Sequence, residues 1–414
     1  MSRYQDWKSL AAVQVGGAIC LPVLLFGQQL AKECAPASAM IAIGIGNLFL
    51  LLLAGFIVSL ALRERLSTAA LAAKLFGPLG HRAIAMLIVI SMAGWFLLQN
   101  RAMASATMDL LGWQNGMAEN GCALLLGLGI GWSTLDGMHS LAGWARVVLP
   151  LLLVTLTMAL WQAYSAEEAV DIAASEGGVL SSFHALSLVL ACAIGGVIDM
   201  PTFMREAKSR RDSWIAIGMT FGLALPLIQV AGLLLAQWGA TDDLVGLLTA
   251  GTTSPLWHLW VGSFVVLAGW TTNNMNLFSA GVSSQLLLPG WSEKRRIALL
   301  GLLGAVMAPF ASIEATTSFL ELVGVALTAL GGLIVADGLC TLPSSIRQGA
   351  NSAIMLISCG GGAISWWSEV AWSGVALLDS FVIAALLRAA IGLVSLVIHY
   401  SDSMKRRNHA LFRD

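Results

Sequence analysis

Charge is scarce in this chain. Only 11% of its 414 residues are Asp, Glu, Lys or Arg, and 57% are hydrophobic, whereas a water-soluble domain carries about 25% charged residues. That excludes an ordinary soluble domain, and the mean hydropathy of +0.81 points to an integral membrane protein. The net charge of −1 offers no basic surplus for a nucleic-acid partner, and none is expected. Cysteine is sparse as well: Cys20, Cys34, Cys122, Cys192, Cys340 and Cys359 show no CxxC or other metal spacing, so they read as small core residues. The histidines form no HxxxH or HExxH cluster, which leaves a metal hydrolase without support. The first apolar run follows Arg3 and Lys8 but lacks a small-residue cleavage site, so it reads as a span rather than a leader.

Long apolar runs, by contrast, are abundant. A bilayer core about 30 Å thick needs roughly 20 apolar residues per helix, and twelve runs qualify: 11–30, 38–62, 83–107, 121–136, 143–163, 181–204, 213–237, 258–281, 297–312, 319–340, 352–367 and 374–399. Charge placement tests the count. Arg63, Arg65, Lys74, Arg82, Arg146, Arg205, Lys208, Arg210, Arg211, Lys294, Arg295, Arg296, Arg347 and the tail at 405–407 all fall on one side if the N-terminus is cytoplasmic. The opposite loops hold Lys32 as their base and the acids Glu167, Glu168, Asp171, Glu176, Asp242, Asp243 and Glu369. Bases favour short cytoplasmic loops, so both termini are expected inside, in a bacterial inner membrane.

Two runs carry the same interruption. Residues 16–22 read GGAICLP and residues 195–201 read GGVIDMP, each placing a glycine pair five positions ahead of a proline. Glycine weakens a helix, and proline removes a donor and clashes with the preceding turn. Backbone polar groups in hydrocarbon must be bonded within the protein, so an unwound stretch survives only where it lines a cavity or holds a ligand. Spans 1 and 6 are therefore both expected to break. They head two sets of five helices, residues 1–163 and 181–340, with 352–414 forming two further helices and a tail; an odd number per set inserts the second set oppositely. Such an inverted repeat with paired interruptions points to the substrate site of a secondary transporter.

Asp199 falls inside the second interruption. It has two readings: the N-cap of a second half-helix, or a group that binds a cationic part of the substrate or carries a proton. Asn273, Asn274 and Asn276 read as helix–helix amides, one of them near an inner exit. Asp337 is expected to meet a basic loop, Arg101 and Arg388 to be structural, and Asp379 to pair with Arg388.

The strings WTTNNMNLFSAG at 270–281, ALGGLIVADGL at 329–339, AGWF at 93–96 and FMR at 203–205 resemble nucleobase:cation symporter family 1 and, within it, the bacterial cytosine permeases. The resemblance implies a LeuT-like all-α fold: a 5+5 inverted repeat with helices 1 and 6 broken, plus two C-terminal helices. By the family's pattern sodium would bind at Gly16, Cys20, Ala268, Thr271 and Thr272, and the substrate at Trp95, Gln99, Cys192, Ala193, Gly195, Gly196, Asp199 and Ala268. Trp95 would stack on a flat ring and Gln99, one turn on, would meet its edge. The pocket departs from the cytosine permeases at Ala193 (an aromatic there), Cys192 (a serine), Ala268 (an asparagine) and Met92 (a glutamine), which argues against cytosine itself.

These readings converge on a monomeric symporter in the lipid bilayer, importing a small nucleobase-like heterocycle with sodium and needing no other cofactor. An amino-acid or amine symporter of the same fold, or a proton-coupled carrier using Asp199, stays open. An intramembrane enzyme would need a helical His, Asp or Cys cluster that the sequence lacks, and a channel would need a pore loop.

Overall fold

The computed structural model describes residues 4–113, 115–165, 182–238, 244–249, 254–340, 342–368 and 371–411. The acidic loop residues Glu167, Glu168, Asp171, Glu176, Asp242, Asp243 and Glu369 lie outside these. Among the described residues all regular structure is helical, apart from one isolated bridge between Gln5 and Ala207.

Every expected span has its helix. The first is a bent pair, α1 (Trp7–Ala18) and α2 (Leu21–Glu33), meeting at 51°. Next come α3 (Pro36–Ala61), α4 (Thr68–Leu111), α5 (Gly116–Thr134), α6 (Met138–Ser165) and α7 (Ser182–Met204). The seventh span is α8 (Arg210–Met219), a π-helical turn (Thr220–Ala224) and α9 (Leu225–Trp238); a short α10 (Leu244–Thr249) follows. Then come α11 (Pro255–Ser283), α12 (Glu293–Met307), α13 (Ile313–Leu339), α14 (Ser344–Ser368) and α15 (Ala376–Leu411). Seven helical stretches are individually long and apolar enough to cross a bilayer, and the bent pair makes an eighth. The remaining four spans, α5, α11, α12 and α14, are shorter or carry polar residues; α11 holds the run Thr271, Thr272, Asn273, Asn274 and Asn276. This polar run inside a long membrane helix is thus a candidate for function.

The break in the first span has a local cause. Pro22 stands in the first turn of α2, where its missing N–H is harmless, while Ile19 and the extended Cys20 leave the helix between the two segments. Asp6 caps α1 by accepting from Ser9 N at 3.0 Å, and that backbone hydrogen bond holds its carboxyl below the ordinary carboxylate range. The expected break in the sixth span is absent: α7 runs unbroken from Ser182 through Gly195, Gly196 and Pro201 to Met204. Pro201 comes only three residues before the helix ends, so it forfeits one hydrogen bond without leaving a second segment to swing away.

Packing is backbone-close where the bent span meets the seventh. An added Cβ on Gly27 would stand 2.2 Å from Gln229 O, and one on Gly232 would stand 2.2 Å from Leu24 O. Small residues at such crossings let helices associate without a hydrophobic drive between them. Asn47 of α3 donates to Gln229 Oε1 of α9 at 2.7 Å.

The basic loops gather around the start of α1. Gln5 N donates to Glu206 O at 2.7 Å and Lys208 N to Gln5 O at 2.8 Å. Arg65, in the left-handed region at φ 54°, donates to Arg205 O at 2.9 Å and Ala207 O at 2.7 Å, and Arg146 reaches Ser9 Oγ at 2.5 Å. Arg101 pairs with Glu119 at 3.1 Å. Arg388 pairs with Asp337 at 2.5 Å rather than with Asp379. Asp379 and Arg388 share α15 nine residues apart, about 13.5 Å along the axis, beyond reach; Asp379 instead accepts from Trp372 N at 3.1 Å and Ser373 N at 3.0 Å.

Candidate substrate and cation site

The break in the first span frees two carbonyls, and α11 meets both. Cys20 N turns back to Ala18 O at 3.0 Å, which releases its usual helical acceptor, Gly16 O. Thr271 Oγ1 donates toward Gly16 O at 3.2 Å and Thr272 Oγ1 to Gly17 O at 3.0 Å. Both hydroxyls also stand 3.0 Å from Ala268 O. Four of the five residues named from sequence, Gly16, Ala268, Thr271 and Thr272, therefore form one oxygen cluster. Cys20 is the exception, since its carbonyl accepts from Leu24 N at 3.3 Å and opens α2; Gly17, missed from sequence, takes its place one residue earlier.

The cluster suits a hard cation. Its donors are all neutral oxygens, which hard ions prefer. Neighbouring oxygens of an octahedron around such an ion at about 2.4 Å stand about 3.4 Å apart, so the hydroxyl–carbonyl separations among these five oxygens would open by only a few tenths of an ångström.

Beside the cluster lies a cavity of ≈ 120 Å³, walled by α1, α2, α4, α7, the π-turn and α11. Gly17 and Thr272 belong to both the cluster and the cavity wall. Trp95 and Gln99, four residues apart on α4, face the cavity together with Cys192, Ala193, Gly196 and Asp199 of α7. Two expected substrate residues do not line it. Gly195 faces α4 and α13, where an added Cβ would meet Ser91 Oγ at 3.4 Å and Leu327 at 3.6 Å. Ala268, fully buried, contributes its carbonyl to the oxygen cluster and no wall.

Several wall residues escaped the sequence reading. Gln14 projects from α1, Phe203 from the end of α7, Phe221 from the π-turn, and Met275 and Asn276 from α11. Phe221 and Phe203, both almost fully buried, supply aromatic surface where Ala193 gives none. Gly222 and Pro226 within the seventh span were the available signal, since π-turns mark functional sites. Gln14 leaves its Nε2 unpartnered and Gln99 leaves both its Nε2 and Oε1 unpartnered, although both amides are buried. In protein interiors such groups are normally bonded, so these stand as ligand-facing donors and an acceptor.

Asp199 is 2% exposed and sits inside unbroken helix, so it caps nothing. Its carboxylate accepts from Thr202 Oγ1 at 2.7 Å and from Ser279 Oγ of α11. Thr68, at the start of α4, donates to the adjacent Ile198 O at 3.0 Å. The asparagines of α11 divide their work. Asn273 donates to Phe96 O at 3.1 Å, Asn274 accepts from Ser133 and Thr134 at 2.8 Å each, and Asn276 reaches the cavity while donating to Asn273 Oδ1 at 3.2 Å.

By sequence the chain matches no protein-family profile and no curated protein. Its structure matches Mhp1, a nucleobase-cation-symport-1 family transporter in a closed conformation with bromovinylhydantoin bound, at TM-score 0.74 and 19% identity, over 94% of this chain and 92% of that one. A sodium-coupled sialic acid symporter in a substrate-bound outward-open state matches at TM-score 0.69 and 11% identity, over 96% and 91%. MhsT in complex with L-phenylalanine matches at 0.63 and 14%, over 95% and 99%. These neighbours are transporters, not enzymes, and at such identities the likeness speaks for the fold alone. The chain is thus an all-α, multi-pass membrane protein with the LeuT-type fold that these symporters share.

Proposed function

We propose that the protein is a secondary active symporter that moves a small, ring-containing metabolite together with a cation by alternating access. The observation that carries this reading is the shared wall: Gly17 and Thr272 line the cavity and hold the oxygen cluster at once. An ion bound there would fix the bend between α1 and α2 and, with it, one side of the substrate cavity. That is a direct route to coupling, because each ligand then prefers the geometry the other stabilises.

Sodium is the proposed coupling ion, held by Gly16, Gly17, Ala268, Thr271 and Thr272. The cavity's size restricts the solute, since a cavity of about 150 Å³ accommodates benzene and ≈ 120 Å³ leaves room for one ring. Trp95 is proposed to stack on that ring, which contributes roughly 1 kcal/mol beyond area burial. Gln14 and Gln99 would bond its edge. A nucleobase-like heterocycle fits this description. We further propose that residues 1–163 and 181–340 form two oppositely inserted halves and that both termini lie on the cytoplasmic side of a bacterial inner membrane, where the basic loops gather. A monomer is the proposed oligomeric state.

One observation favours a second reading. Asp199 in the cavity wall fits an amine or amino-acid substrate, or a proton as coupling ion. Uptake into proteoliposomes decides between these: saturable uptake stimulated by a sodium gradient supports the first reading, stimulation by a proton gradient alone supports the proton carrier, and chemical change of the solute defeats both. A thermal-stability screen of the purified protein against nucleobases, hydantoins and amino acids, with and without sodium, identifies the solute class.

A further inference from the structure

Among the described residues of the cavity wall Asp199 is the one acid, and no Lys, Arg or His stands there with it. No ion pair among the described residues engages it. Arg205, the nearest base along its own chain segment, forms its ion pair with Glu206 at 3.4 Å and acts on Asp199 only through its field, without contact. An ionised carboxylate offers about four acceptor positions, and Thr202 and Ser279 account for two. One turn before Asp199, an added Cβ on Gly196 would meet nothing within 4 Å, so the face of α7 leading to the carboxylate is open cavity. A carboxylate at this depth needs a counter-charge or a proton, and no base among the cavity-wall residues supplies one.

We infer that the transported solute brings it: the substrate is a single-ring organic cation whose protonated nitrogen docks on Asp199. Trp95 covers the ring face, and the unpartnered amides of Gln14 and Gln99 take up its remaining polar edge. The walls agree with this class, because Phe203, Phe221 and Met275 line the same cavity with surface that suits a flat, weakly hydrated cation better than a compact ammonium ion. This inference rests on the reading of the cavity as the substrate site and narrows it from heterocycles in general to those carrying a positive charge.

The test is a matched pair of probes on the purified full-length protein in detergent with sodium present, followed by titration calorimetry. 4-Aminopyridine, cationic at neutral pH, and aniline, neutral and nearly the same shape, differ chiefly in charge. The wild type is expected to bind 4-aminopyridine about thirtyfold more tightly than aniline, the range of a hydrogen bond to a charged group. Asp199→Asn should erase that preference, and Ser279→Ala, which keeps the carboxylate, should retain it. Equal binding of the two rings by the wild type, or a preference that survives in D199N, overturns the assignment. Should D199N not fold, the wild-type comparison decides. Binding in detergent needs no transport, so a cation preference without uptake would sink the symporter reading alone, and uptake of a neutral ring without cation preference would sink only this one.

Discussion

The first and sixth spans carry the same GG-x4-P string and do opposite things with it. In the first, the helix stops at Ala18 and restarts at Leu21 with a 51° bend; in the sixth, it runs straight through Pro201. The difference lies partly in position, since eleven helical residues follow Pro22 and only three follow Pro201. It lies more in the neighbours. Thr271 and Thr272 stand where the carbonyls of Gly16 and Gly17 emerge, so the first span can unwind without stranding them in hydrocarbon. Among the described residues no hydroxyl pair bonds the carbonyls of Gly195 and Gly196, and there a side chain, Asp199, stands in the cavity wall. Glycine and proline permit a break; the facing helix decides whether it happens. The result is an asymmetric site, with backbone oxygens on the first span and a carboxylate on the sixth.

Substitutions can break or sharpen this contrast. The largest effect is expected at Gly196, whose Cβ direction is open space. Gly196→Leu should fill the cavity and abolish saturable solute binding while the protein elutes as a normal monodisperse species, because helix propensity improves; retained binding would mean the solute sits elsewhere. Trp95→Ala should weaken binding about tenfold through lost stacking, with Trp95→Phe recovering most of it, as measured by titration. Pro201→Ala should raise thermal stability by about 1–2 kcal/mol, since it restores a helical donor in a helix that is already continuous. An unchanged or lowered melting temperature would indicate that the sixth span bends in another state. The smallest effect belongs to Asp6→Ala, which removes the cap of α1 at a cost of about 1 kcal/mol. Because the Asp6 carboxyl is held below its ordinary range, this contribution is present at neutral pH and disappears as pH falls through the lowered value. Melting curves at neutral and acid pH should therefore separate wild type from variant only at the former.

The membrane architecture was legible because it is written in composition and period: scarce charge and twelve apolar runs. That Gly16, Ala268, Thr271 and Thr272 meet followed from the family resemblance carried by the string at 270–281. What sequence did not convey was which neighbour satisfies which group. Gly17 replaces Cys20 in the oxygen cluster because Cys20 opens a new helix, Gly195 turns away from the cavity because its helix never unwinds, and Arg388 meets Asp337 because Asp379 lies too far along the same rod. Phe203, Phe221 and Gln14 look like ordinary residues of apolar spans until the π-turn and the bend of α1 aim them at one point.

The shared wall makes one measurement decisive. Solute binding to the wild type, titrated with and without sodium, should tighten with sodium, and Thr272→Ala, which removes the hydroxyl common to cluster and cavity, should shift half-saturating sodium upward about tenfold or more and bring the two solute affinities together. Sodium tightening that persists unchanged in Thr272→Ala would place the ion away from the bend of the first span and contradict the coupling route drawn here.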